Sequence, residues 1–334
     1  MNKPKTTHLN AGAPKPAAAQ NPFFCKKEMN TIDKIKELKR RDNVVILAHY
    51  YTLPEVQDIA DFVGDSLALS QRASLPPAAT ILFAGVKFMA ETAKVLSPDK
   101  RVLLPDMEAG CSLAASCDER DFGEFVGKYP DHLVVSYVNT SVGVKALTDI
   151  CCTSSNAVEI VRGLPAEQKI IFAPDRNLGN YIKSVTGREN MVIWDGACHV
   201  HEEFSVEKII ELKAQYPRAR VVAHPECKAA VLLLADFTGS TAALLDFCSR
   251  DEATEFIVVT EAGILHQMAK NNPAKTFIPA PPLDSTCGCS NCAYMKLITL
   301  PKILNSLETN THEITIDEPV RRKAEASIRR MLET

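Results

Sequence analysis

The chain has 334 residues, 46% hydrophobic and 24% charged, with a net charge of −3, an ordinary globular balance that gives no sign of a nucleic-acid or anionic-membrane partner. Its longest wholly apolar run, Ala229 to Ala235, is far shorter than the ~20 residues a membrane span needs. Eleven cysteines without a secretory apolar segment point to a reducing compartment, the cytoplasm, and to metal or redox use rather than disulfides.

Residues 1–30 are rich in Pro, Ala, Asn and Lys, show no periodicity and read as a disordered tail. Their basic start lacks the Arg-rich amphipathic face of a transit peptide. A helix over Thr31 to Arg41 leads into a first unit. Val44 to Ala48 is short, apolar and β-branched, as buried parallel strands are, and His49-Tyr50-Tyr51 stand at its C-terminal end. A helix is predicted from Pro54 through Val63, broken by Gly64, and another from about Asp65-Ser66. A strand over Thr80 to Ala84, a helix over Val86 to Leu96, a strand over Arg101 to Pro105 and a loop carrying Cys111 complete the unit.

The same plan recurs from Leu133 to Cys198 and from Arg220 to Cys292. Three apolar runs open the units: VVILAHYY, LVVSYVNT and RVVAHPEC. Three more follow, at ILFAGVKFMAET, IIFAPDRNLGNY and FIVVTEAGILHQM. Between them lie Gly64-Asp65-Ser66-Leu67, Thr153-Ser154-Ser155-Asn156 and Gly239-Ser240-Thr241-Ala242, and each unit closes on a cysteine loop. The predicted units are 31–118, 119–206 and 207–305. A segment over 306–334 follows, with a basic helix opening at Asp317-Glu318-Pro319 and running to Leu332, its Pro at a permitted early position. The sequence does not say what that helix packs on.

Alternating β and α elements imply parallel sheets with helices on both faces and right-handed crossovers. The expected fold is α/β: three repeated doubly wound α/β/α domains around a pseudo-threefold axis. Ligands collect at the carboxyl ends of such strands. That face would carry His49, Tyr50, Tyr51, Tyr137, Asn139, His224, Glu226, Glu261 and His266, together with the cysteine loops. With those faces turned inward, three thiols converge on one cavity.

Cys111, Cys198 and Cys292 are 87 residues (111 to 198) and 94 residues (198 to 292) apart. Soft thiolates select zinc, copper(I) or iron–sulfur clusters. A structural zinc site closes with tight cysteine pairs, whereas one cysteine per unit suits a larger object gripped from three sides. A cubane [4Fe–4S] cluster with three protein ligands leaves one iron free to act as a Lewis acid. The remaining Cys25, Cys117, Cys151, Cys152, Cys227 and Cys248 read as small buried hydrophobes. Cys287, Cys289 and Cys292 lie within six residues and could bind a metal locally, or Cys289 and Cys292 could form a redox pair.

Ser66, Ser154 and Thr241 have the chemistry of helix N-caps. Three such helix starts in register would also offer amide groups to an anion, so phosphate or a dicarboxylate is the expected ligand class.

The segments AHYYTLPEVQDIADFVGDSLALS, DMEAGCSLA, YVNTSVGVKALTDICCTSSNA, FAPDRNLGNY, WDGACHVHEEF, AHPEC and TGSTAALL, in that order, resemble quinolinate synthase, the A protein of the bacterial de novo NAD pathway. The match runs from about residue 31 to residue 305. The resemblance implies a [4Fe–4S] cluster held by three cysteine ligands, Cys111, Cys198 and Cys292. It implies a transferase that condenses iminoaspartate with dihydroxyacetone phosphate, losing phosphate and water to give quinolinate. It also implies active-site roles for His49, Tyr51, Ser66, Tyr137, Asn139, Ser154, His224, Glu226, Ser240 and Thr241. Among these, Glu226, His224, Tyr51 and His49 would move protons and the others would bind substrate. Transient contact with the L-aspartate oxidase or dehydrogenase that makes iminoaspartate is a further implication.

The chain departs from the family in one place. Members carry either C-x-x-C-x-x-C or a single cysteine before a methionine, and here the pattern is C-x-C-x-x-C; only Cys292, three before Met295, matches both. A disulfide between Cys287 and Cys289 would be strained. Two other readings use the same residues: an electron-transfer protein with a fourth cluster ligand, and a zinc-dependent aldolase acting on dihydroxyacetone phosphate.

Overall fold

The structure, a computed structural model, describes residues 22–75, 77–283 and 290–334, with side chains from residue 31 onward. Twelve strands form three four-stranded sheets among the described residues. The first contains β1 (Val44–His49), β2 (Phe62–Gly64), β3 (Thr80–Ala84) and β4 (Arg101–Leu103), in the order β2-β1-β3-β4. The second contains β5 (Leu133–Tyr137), β6 (Ile150–Cys152), β7 (Ile170–Ala173) and β8 (Met191–Ile193), in the order β6-β5-β7-β8. The third contains β9 (Arg220–Ala223), β10 (Phe237–Thr238), β11 (Glu255–Val259) and β12 (Thr276–Pro279), in the order β10-β9-β11-β12. Every pairing is parallel, and helices flank each sheet. The chain is thus α/β, built from three repeated α/β/α units.

The registers are equivalent too. Ile46 lies opposite Leu82, Val134 opposite Ile171 and Val221 opposite Ile257. Asp61, Asp149 and Asp236 accept from the amides of Ile46, Val134 and Val221 at 2.7, 2.8 and 2.7 Å. The amides of the same aspartates donate to the carbonyls of the same strand residues. Each unit therefore ties its edge strand to its central strand with the same two-way clasp, which satisfies backbone groups the short edge strand leaves unpaired.

Every residue of β3 and β7 is buried, as expected of parallel strands covered on both faces. Phe83, Phe172 and Phe256 are among the largest fully buried side chains, each worth about 2–3 kcal/mol of transfer free energy. One apolar cluster runs through the first two units and the C-terminal helices, and the third unit's sheet has a separate cluster on each face. Cys117, Cys151, Cys152, Cys227 and Cys248 are buried, the role expected of them; the side chain of Cys25 and the residues Cys287 and Cys289 lie outside the described residues.

Several local expectations are corrected. The helix after β1 covers Pro54–Ile59 only, and Phe62–Gly64 is a strand. Ala60 turns to an extended conformation and Phe62 and Val63 pair with Leu47 and Ala48; sheet pairing outweighs a helical reading of a short apolar run. The N-terminal helix starts at Pro22 rather than Thr31. The C-terminal helix, Glu318–Leu332, packs chiefly on the second unit, against the helix Val142–Ala146 and β6. Just before it, the Ile314 amide donates to Val102 and the Leu104 amide to His312, so this stretch covers the open edge of β4.

Candidate active site

The central strands β1, β5 and β9 end at one cavity of about 60 Å³. Because the registers are equivalent, the residues lining it fall into sets of three. His49, Tyr137 and His224 occupy one position, Tyr51, Asn139 and Glu226 a second, and Ser66, Ser154 and Thr241 a third; all nine line the cavity. So do Cys111, Cys198 and Cys292. Their equivalence is visible in the backbone, where the amides of Lys87, Arg176 and Ala262 donate to Ala109, Gly196 and Ser290, each two residues before its cysteine.

Each cysteine stands at the N-terminus of a short helix. Burial pushes the Cys111 thiol up to about 12, with the Ala114 amide pulling the other way and Cys292 adding to the rise. Burial also raises Cys198, with Glu226 and Cys111 adding to it. Burial raises Cys292 against the Met295 amide. All three are free thiols facing one space, and only a multiply charged cation would let them ionise together. That donor set fits a thiolate-ligated iron–sulfur centre. Cys198, His201 and Glu226 also place one ligand atom each within 4.8 Å of one another.

Two of the cavity histidines, His49 and His224, are held alike. The Tyr51 amide donates to His49 Nδ1 at 3.2 Å and the Glu226 amide to His224 Nδ1 at 3.3 Å. An accepting Nδ1 puts the proton of a neutral imidazole on Nε2. His224 Nε2 lies 3.1 Å from Ser154 Oγ. Burial lowers both pKa values to about 3; His224 and Lys296 lower His49 further, while Glu226 partly restores His224. Both rings are therefore neutral near pH 7.

Glu226 is buried, and burial opposes its charge. His201 and the Tyr137 hydroxyl outweigh burial and hold it ionised, its pKa below the usual carboxylate range. Tyr137 donates to Glu226 Oε1 at 2.6 Å. His201 Nδ1 lies 3.2 Å from Oε2, off the line of a hydrogen bond, and has no hydrogen-bond partner among the described residues. The Asn139 Oδ1 is likewise buried and unpartnered. The Tyr51 hydroxyl lies 2.8 Å from both Thr241 Oγ1 and Thr260 Oγ1.

The hydroxylic residues are not the caps the sequence suggested. Asp65 caps the helix Ser66–Ser74, Asn156 occupies the cap position of Ala157–Gly163, and Ser240 caps Thr241–Arg250. Ser66 and Thr241 are first helical residues and Ser154 lies in the preceding turn, which leaves their hydroxyls facing the cavity. Ser240 does not line that cavity; its Oγ accepts from the Ala243 amide. His266 is bound at the surface to Asp58, and Tyr50 is not part of the lining. Sequence reasoning missed Asp175, His201, Thr260 and Lys296. Aligning the repeats on their third strands would have exposed Asp175, which falls in register with Glu261.

The family model described as quinolinate synthetase A protein matches residues 33–333. Quinolinate synthase of Microcystis aeruginosa is 58% identical over 299 residues, covering 90% of this chain and 93% of that protein. The quinolinate synthases of Thermosynechococcus vestitus and Chloroherpeton thalassium are 55% and 53% identical, over 95% and 92% of this chain. With the threefold set of cysteines and polar side chains in one cavity, and with similarity extending over nearly the whole chain, this protein belongs to the quinolinate synthetase A family.

Proposed function

We propose that the chain condenses iminoaspartate with dihydroxyacetone phosphate, releasing phosphate and water, to form quinolinate for NAD biosynthesis. The observation that carries this reading is the meeting of one cysteine from each repeat with neutral histidines and an ionised glutamate around one cavity. Cys111, Cys198 and Cys292 are the residues that would hold a [4Fe–4S] cluster, which when bound supplies an open iron as a Lewis acid for a substrate hydroxyl or carboxylate.

The chain's own groups do the rest. Glu226, ionised and fixed by Tyr137, takes a proton from substrate carbon or nitrogen and returns it to a departing hydroxyl. His49 and His224 present Nε2–H to carbonyl or carboxylate oxygens. The Tyr51 hydroxyl, held by two threonines, is placed to pass a proton in the ketose-to-aldose step. Asn139 Oδ1 accepts from the imine or amine nitrogen. Ser66, Ser154 and Thr241 donate to phosphate or carboxylate oxygens. The reading extends to a transferase class, to work in the cytoplasm, and to transient contact with an L-aspartate oxidase or dehydrogenase that supplies an imine too short-lived to diffuse far. No described helix is long and apolar enough to cross a membrane.

Anaerobically purified protein should contain iron and acid-labile sulfide in equal amounts and convert the two substrates to quinolinate; Cys111→Ser should lose the cluster and the turnover. Zinc without sulfide would favour an aldolase. A reversible redox couple with no spectral response to substrate would favour electron transfer. Unchanged turnover in Glu226→Gln would remove that residue from the acid–base role.

A further inference from the structure

The position four residues beyond Leu82, Ile171 and Ile257 is Val86 in the first unit, Asp175 in the second and Glu261 in the third. Both carboxylates are fully buried. Asp175 Oδ2 accepts from the amide of Cys198 at 3.1 Å, while Oδ1 accepts from the Leu178 amide at 2.7 Å. Glu261 Oε1 accepts from the amide of Cys292 at 3.0 Å and from Lys296 Nζ at 2.8 Å, while Oε2 accepts from the Gly263 amide at 2.7 Å. Lys296 Nζ also donates to the carbonyl of Tyr51 at 2.6 Å. Valine at the first position can accept nothing.

We infer that Asp175 and Glu261 are positioning residues for the metal centre: each fixes the backbone of the cysteine loop in its own unit, whereas among the described residues no carboxylate accepts from the Cys111 amide. The inference rests on the reading that Cys198 and Cys292 are cluster ligands. Burying a carboxylate is unfavourable unless its oxygens are hydrogen-bonded, and here one oxygen of each accepts from a cysteine amide while the other accepts from an amide just after its own strand. A loop amide held in this way fixes where the neighbouring sulfur sits. Partners of that kind orient metal ligands, and their loss weakens metal binding by roughly 10–100-fold. In the third unit the tie goes further, since Tyr51, Lys296, Glu261 and Cys292 form one chain of contacts from a proton-handling residue to a cluster ligand.

The test uses the full-length protein with its cluster, compared with Asp175→Asn, Glu261→Gln and Asp236→Asn. The last removes a carboxylate that clasps a strand amide away from the cysteine loops. Iron release to an iron(II) chelator is expected to quicken about tenfold in Asp175→Asn and Glu261→Gln, and to stay within about twofold of wild type in Asp236→Asn, where no cluster partner is lost. The EPR g values of the reduced cluster should shift in the first two variants alone, a change that general loosening of the fold would not produce. Should either variant fail to fold, amide exchange in the wild type decides the matter: Cys198 and Cys292 should exchange more slowly than Cys111. Wild-type iron release and g values in both variants, or equal exchange at the three cysteines, would overturn the inference while leaving the cluster reading intact. Wild-type protein that takes up neither iron nor sulfide would overturn both.

Discussion

The Tyr137 hydroxyl donates to Glu226 Oε1 at 2.6 Å, joining the second repeat to the third across the cavity. The two residues are not equivalents: Tyr137 shares its position with His49 and His224, and Glu226 shares its position with Tyr51 and Asn139. Similar scaffolds have thus placed different chemistry at matching points, and the site works through contacts between units rather than within one.

Tyr137→Phe removes the shortest hydrogen bond to the glutamate and leaves a buried oxygen short of a donor. Turnover is expected to fall about 10²-fold, the low end for a group that supports acid–base transfer. Stability should fall by about 1–3 kcal/mol, the usual consequence of an unpaired buried acceptor. Steady-state kinetics and urea unfolding measure the two effects.

His49 and His224 have folded-state pKa values of about 3, against roughly 6.5 in an unfolded chain. Between those values the unfolded chain binds protons that the folded chain refuses, so stability falls as the pH drops below about 6.5. The slope expected is about 1.4 kcal/mol per pH unit for each histidine. Urea midpoints between pH 7 and pH 5 should show it, and His224→Gln should remove about half of the slope.

Gly196 sits two residues before Cys198. A Cβ there would lie 2.6 Å from the Pro174 carbonyl and 2.4 Å from Ser116 Oγ, and the backbone carbonyl cannot swing aside. Gly196→Ala is expected to displace the Cys198 loop, lowering stability by about 1–3 kcal/mol as overpacking does and reducing the iron retained per chain. Metal analysis beside thermal unfolding checks both.

Asp149→Ala removes one of the three strand clasps and leaves the Val134 amide without its side-chain acceptor. Asp149 is exposed, so water can take its place, and the expected loss is about 1 kcal/mol. Asp61→Ala and Asp236→Ala should behave alike in urea titrations, since the geometry recurs.

The repeat, the parallel α/β architecture and the three cysteines that line the cavity, Cys111, Cys198 and Cys292, were legible in the sequence. Apolar runs such as VVILAHYY and RVVAHPEC reveal a buried strand through local composition alone, and that signal survives triplication. The edge strand Phe62–Gly64 was not legible, because three residues carry too little pattern to outweigh a helical reading and only pairing with β1 makes them a strand. The helix caps were misplaced by one or two positions for a similar reason: Asp65, Ser66, Ser154, Ser240 and Thr241 all have capping chemistry, and the chain's exit angle selects among them.

The sequence by itself determined which residue types stand at the end of each strand, since that follows from spacing along one chain. Only the tertiary structure decided which of them meet. Tyr137 finds Glu226, Tyr51 finds Thr241 and Thr260, and Lys296 ties Tyr51 to Glu261, all through contacts between units far apart in the chain. Such pairings depend on how three packed units turn toward one another, a geometry set by the summed burial of their faces and carried by no local stretch of residues.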